Sequence, residues 1–179
     1  VTRGWARDPG PRLPTRPLVG RFAITDSVLD GITALLPTYR GPDGDHEGIV
    51  FLLGYEMPTE TVLVTVAAPN AEHARGRVHV SRENVLAVAK LARSLGLGVL
   101  AQVHSHPAGW TEHSVGDDGM VLMPFEGMLS IVVPHYGHHG LRPLDGLGVH
   151  QWQRGGWVAC EPSSIRQGIR VLPSRADLR

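Results

Sequence analysis

Four short apolar runs constrain this chain more than any other feature: Glu47–Leu53, Thr61–Ala67, Val99–Val103 and Leu129–Val133. Each is too short for a typical helix and rich in Val, Ile, Leu or Thr, so each reads as a buried strand. Thr61–Ala67 follows the first run across Gly54–Glu60, a spacing that suits a hairpin. Shorter strand signals lie at Val78–Val80, at Val149–Ala159 (one or two strands) and at Ile169–Leu172. The stretches at 41–45 and 69–77 read as loops by their turn and polar residues.

Two helices interrupt the strands. Asp26 suits an N-cap, Val28, Leu29, Ile32, Leu35 and Leu36 follow at helical spacing, and Pro37 ends the run. Ser81 caps a second helix whose apolar face is Val85, Val88, Ala89, Ala92 and Leu95, with Gly96 just past its end. A further helix start falls near Ser114. Strands outnumber helices and several neighbours are hairpin-like. The expected fold is α/β or α+β, with a single mixed, largely antiparallel β-sheet flanked by helices.

A length of 179 residues favours one domain. Residues 1–20 hold four prolines and four arginines and read as an extended N-terminal arm, packed through Trp5 and Leu18. Residues 21–160 form the expected domain, and 161–179 a C-terminal extension. With 42% hydrophobic and 19% charged residues the chain is globular in balance, not disordered.

Seventeen basic residues match seventeen acidic ones, so no global positive field exists to hold nucleic acid or an anionic membrane. A single cysteine, Cys160, excludes an internal disulfide and any CxxC or Cys-rich zinc site. The first ten residues lack an apolar h-region, and no apolar run is long enough to span a bilayer. A cytoplasmic location is expected.

Ten histidines are present, and most suit a solvated role. His104 and His106 differ in their setting. They end an apolar strand one residue apart, so extended backbone sends both imidazoles to one side and Ser105 to the other. Two converging imidazoles can hold one divalent ion. Ser114 and Asp117 stand three apart at a helix start, on one face. Asp117 can complete a His₂Asp set that leaves one position open, as in catalytic zinc sites, and Ser114 can stabilise an oxyanion beside it. The residues alone leave other readings open: Ser114 also suits a helix cap, and Asp117 suits the helix dipole. Glu47 opens an apolar strand and is the best candidate for a general base that is not a ligand, although a solvated strand-end charge fits it too. Asp118 is an alternative ligand, Glu112 and His113 are loop residues that either support the ligands from behind or face solvent, and Trp110 either lines a groove or covers the sheet end.

Together these residues read Glu47 … His104-Ser105-His106-Pro107-x6-Ser114-x2-Asp117. This spaced pattern resembles the motif of the JAMM/MPN (JAB1/MPN/Mov34) zinc metalloproteases, in the prokaryotic, deubiquitinase-like isopeptidase form. Glu47–Gly54 is similar to the Glu-bearing strand of that family, Val99–Pro107 to the strand leading into its His-x-His, and Ser130–Pro134 to a later strand. The resemblance covers roughly residues 22–160.

The resemblance implies a mixed sheet flanked by helices, similar to that of cytidine deaminases. It implies one catalytic Zn²⁺ held by His104, His106 and Asp117, with Glu47 as general base and Ser114 as oxyanion stabiliser. It also implies hydrolysis of the bond after the C-terminus of a ubiquitin-like protein, by deconjugation or precursor maturation. A bacterial ubiquitin-like conjugation or antiphage system fits, with the modifier's tail, its conjugate and E1- or E2-like proteins as partners. The alternatives are a peptidase that releases a C-terminal amino acid from a ubiquitin-like sulfur carrier, and a non-catalytic MPN scaffold.

Overall fold

A computed structural model of the chain describes residues 12–114, 116–117 and 124–174. The readings made of Trp5 and of Asp118 lie outside the described residues. Among the described residues the strands are β1 (Thr15–Arg16), β2 (Phe22–Thr25), β3 (Arg40–Gly41), β4 (Gly44–Asp45), β5 (Ile49–Glu56), β6 (Thr61–Ala67), β7 (Glu72–Ala74), β8 (Arg77–His79), β9 (Gly98–Ser105), β10 (Leu129–Val133), β11 (Gly148–Gln153), β12 (Gly156–Cys160) and β13 (Ile169–Leu172). Three α-helices accompany them: α1 (Asp26–Leu35), α2 (Arg82–Ser94) and α3 (Pro162–Gly168).

Nine of these strands form one sheet in the order β1-β12-β11-β10-β9-β5-β6-β2-β13. The sheet is mixed, as expected. The hairpins β5–β6 and β11–β12 are antiparallel, as are the junctions β5–β9 and β10–β11. The junctions β9–β10, β2–β6, β2–β13 and β1–β12 are parallel. Two small antiparallel ribbons, β3–β4 and β7–β8, stand apart from the main sheet. β3–β4 and β7 fall largely in stretches 41–45 and 69–77, which read as loops because ribbons this short carry no hydrophobic periodicity, whereas β8 matches the short strand expected at Val78–Val80, shifted by one residue.

The central strands β5, β9 and β10 are buried on both faces, which explains their continuous apolar runs. On one face α1 buries Val28, Leu29 and Ile32 in a cluster with Val50, Leu52, Val103 and Ile131. On the other, α2 sets Val88 and Ala92 against Ile49, Phe51 and Leu53. The Ser81 hydroxyl accepts from Asn84 N–H at 3.3 Å, and Gly96 follows the helix at φ +70°. The expected cap at Asp26 is corrected by one residue: Thr25 is the N-cap position and Asp26 opens the first turn, where its charge suits the helix dipole.

Segments outside the apolar middle also join the sheet. Thr15–Arg16 pair with Ala159–Cys160, and Ile169–Leu172 pair with Phe22–Thr25. No helix among the described residues is long and apolar enough to cross a membrane.

Candidate metal centre

β9 runs up the middle of the sheet and ends at Ser105, so its last residues emerge at the sheet's end. Alternation along this extended backbone projects His104 and His106 to one face. Their Nε2 atoms lie 3.1 Å apart. Asp117 Oδ2 approaches His106 Nε2 at 3.1 Å and His104 Nε2 at 3.5 Å. All three side chains are buried.

These separations suit a metal ion. A tetrahedral ion with N and O ligands at about 2.0–2.1 Å separates its ligand atoms by roughly 3.3 Å. Two imidazole nitrogens and a carboxylate oxygen form a borderline donor set appropriate to zinc and its neighbours. The group therefore fits a metal site. Burial pushes the Asp117 carboxyl upward, but the charges and hydrogen bonds of His104 and His106 outweigh it and hold the carboxyl well below the usual range.

Asp117 is positioned locally. Its Oδ2 accepts from Ser114 N–H at 2.6 Å, and its own N–H reaches Ser114 Oγ at 3.2 Å and Ser114 O at 3.0 Å. This is the helix-start geometry expected from Ser-x-x-Asp, so the capping and ligating readings of these residues coexist. Because Ser114 Oγ accepts from Asp117 N–H, its own hydroxyl proton remains available to donate.

Glu47 is 1% exposed. It lies just before β5, and its N–H donates to Ala74 O on the β7 ribbon at 2.9 Å. Ile49 is the register partner of His104, and Ser105 N–H donates to Gly48 O, so the ladder continues one step toward Glu47. Two residues before Ile49, Glu47 emerges on the same face as His104 and His106. A Cβ on Gly48 would overlap the Tyr39 ring, so only glycine lets Tyr39 pack there and donate from its hydroxyl to Ile49 O at 2.8 Å. The indole of Trp110 lies across the His106 ring, with centroids 4.9 Å apart and planes 30° apart.

Several residues around the centre escaped the sequence reading. Gln102, Ser130 and His150 are buried polar residues on the strands of the centre. His113, which the sequence left open between supporting the ligands and facing solvent, is buried. A polar residue interrupting an otherwise apolar strand was the available signal. Burial, with His113 and His104 nearby, pushes the His150 imidazole down to about 2. Cys160 is buried with its thiol pushed up to about 12 by desolvation, so it is no nucleophile.

Fold and site together define the class: a mixed α+β domain in which the JAMM/MPN-type pattern of His, Ser and Asp is gathered into one buried cluster. No family model matches the chain. A probable metalloprotease, y4jG, of Sinorhizobium fredii is 33% identical over 95 residues, covering 51% of this chain and 58% of that protein. The chain therefore matches little more than half the length of this relative. Among solved structures, a protein from Desulfitobacterium hafniense aligns with a TM-score of 0.61 at 15% identity, covering 86% of this chain and 94% of that one. A protein from Salinibacter ruber aligns with a TM-score of 0.54 at 18% identity, covering 78% and 88%. A JAB1/MPN domain protein from Archaeoglobus fulgidus aligns with a TM-score of 0.46 at 18% identity, covering 85% and 98%.

Proposed function

We propose that this chain is a zinc-dependent peptidase that hydrolyses the bond after the C-terminus of a ubiquitin-like protein, in a bacterial conjugation or antiphage system. The observation that carries the reading is the triangle of His104 Nε2, His106 Nε2 and Asp117 Oδ2 at a strand end, with Glu47 emerging on the same face. A relative described as a probable metalloprotease supports it.

Zn²⁺ held by His104, His106 and Asp117 supplies Lewis acidity and makes water acidic near neutral pH. Glu47 accepts a proton from the attacking water and passes it to the departing nitrogen. The Ser114 hydroxyl donates to the carbonyl oxygen as its charge builds. The Trp110 indole lies over the His106 ring and keeps bulk water off that face. A flexible C-terminal tail reaches such a sheet-end site more readily than a folded segment does, because it can bind as an extended strand.

A second reading is favoured by one observation. A cavity of about 100 Å³, lined by Arg12, Thr15, Glu112, His113, His150 and others, opens beside His113. A small, partly open space near the centre, with Arg12 and Glu112 paired at 3.5 Å on its rim, suits release of a single C-terminal amino acid from a sulfur-carrier protein.

The test is a panel of ubiquitin-like proteins carrying either a folded reporter or one extra amino acid at the C-terminus. Cleavage of reporter fusions, lost on chelation and restored by Zn²⁺, supports the first reading. Cleavage confined to single-residue extensions supports the second. A zinc-loaded protein that cleaves neither form overturns both and returns the scaffold reading.

A further inference from the structure

One rung of the sheet crosses β5, β9, β10, β11 and β12 through Phe51, Gln102, Ser130, His150 and Ala159. Register partners project to the same face, and His104 lies two residues beyond Gln102 on β9, so the polar part of this rung faces the metal centre's side. Gln102, Ser130 and His150 are each no more than 3% exposed. Burying three polar side chains in mid-sheet is costly unless they are bonded.

The bonds lead toward the metal ligands. Gln102 Nε2 donates to Ser130 Oγ at 3.0 Å. Ser130 Oγ is also hydrogen-bonded to His113 Nε2, at 3.0 Å. His113 is not on the sheet; it belongs to the irregular segment 107–114. Its ring lies over His150, with centroids 3.9 Å apart, and meets Trp157 at 5.3 Å, nearly edge-on. The segment also touches the sheet at Thr111, where a Cβ on Gly148 would overlap the Thr111 carbonyl.

The peptide joining His113 to Ser114 carries the N–H that donates to Asp117 Oδ2. A peptide unit is planar, so anchoring His113 restricts where that N–H points. The same oxygen faces both ligand imidazoles. His104 and His106 come preset from a strand end, whereas Asp117 stands on a segment without strand pairing.

We propose that Gln102, Ser130 and His113 are positioning residues: they tie the Ser114 N–H to the sheet and thereby hold Asp117 in ligating geometry. The proposal rests on the metal site of the preceding section. Partners behind metal ligands typically contribute about 10- to 100-fold in affinity.

The test uses the full chain with Ser130→Ala and with the double replacement Ser130→Ala/His113→Phe. The single change takes the Ser130 hydroxyl away from both the Gln102 amide and His113. The double change removes both ends of one bond while keeping a ring against His150, so it tends to preserve the fold. Zinc affinity is measured by competition with a chelating dye, ligand geometry by the visible spectrum of the Co²⁺ form, and folding by the melting temperature of the metal-free chain. The expected result is a 10- to 100-fold weaker zinc affinity and an altered Co²⁺ spectrum in both variants. Unchanged affinity and spectrum in either folded variant, or a lowered metal-free melting temperature alone, overturns the proposal. A wild-type chain that takes up neither Zn²⁺ nor Co²⁺ overturns the metal site itself.

Discussion

Gly48 and Ser105 clasp each other across the β5–β9 junction: Ser105 N–H donates to Gly48 O, and Gly48 N–H donates to Ser105 Oγ, both at 2.9 Å. Ser105 sits between His104 and His106, and Gly48 directly follows Glu47. One two-bond contact therefore sets the general-base candidate against both imidazole ligands. Alternation sends the Ser105 side chain to the opposite face, so the clasp occupies no space at the site.

Ser105→Ala removes the acceptor for a buried N–H while leaving the metal ligands in place. The expected cost is about 1–3 kcal/mol, the usual penalty for a stranded buried donor. Urea unfolding of the two chains at one protein and zinc concentration measures it. An unchanged midpoint would show that Gly48 finds another acceptor.

Glu47→Gln keeps the size of the side chain and removes the base. Zinc content is expected to stay at wild-type level, while turnover of a cleaved fusion falls by roughly 10²–10⁴. Metal analysis and single-turnover assays on one preparation separate the two quantities. Loss of zinc in this variant would make Glu47 a ligand instead.

Metal removal is expected to lower stability. A site occupied at about 100 times its dissociation constant contributes roughly 2.7 kcal/mol. For a chain of this size that corresponds to a melting shift of about 5–10 °C. Chelator is expected to lower the wild-type melting temperature by that amount and to leave His106→Ala unmoved. Equal shifts in both would place the metal elsewhere.

The buried rung makes the metal-free chain sensitive to acid. Unfolding exposes His150, whose ordinary value is 6.5, whereas burial in the fold holds it near 2. The unfolded chain therefore takes up a proton that the folded chain refuses, and this contribution to stability is full above about pH 6.5 and is lost progressively toward pH 2. The limiting slope is about 1.4 kcal/mol per pH unit. Unfolding midpoints between pH 7 and pH 4 are expected to fall less steeply in His150→Phe than in wild type. Parallel curves would mean that His150 is protonated in the folded chain.

The expected strands at 61–67, 99–103 and 129–133 and the helix capped by Ser81 all form, because each announces itself within one window of sequence. So does the Ser114–Asp117 turn, whose bonds span three residues. Less was visible for Glu47: it could be singled out as a carboxylate opening an apolar strand, but its emergence on the face of His104 and His106 depends on the register of β5 against β9. His113 looked like a loop residue because its partners, Ser130 and His150, are distant in sequence.

The sequence by itself determined which residues alternate toward one face and where helices start, with His104 and His106 on one side of β9 and Ser114 and Asp117 one turn apart. These follow from covalent geometry acting over a few residues. Only the tertiary structure decided that β10 lies parallel to β9, that β1 and β13 join the sheet at its two edges, and that Gln102, Ser130 and His150 share one rung beneath His113. Strand order and register are chosen by burying whole faces at once, and no local window contains that sum.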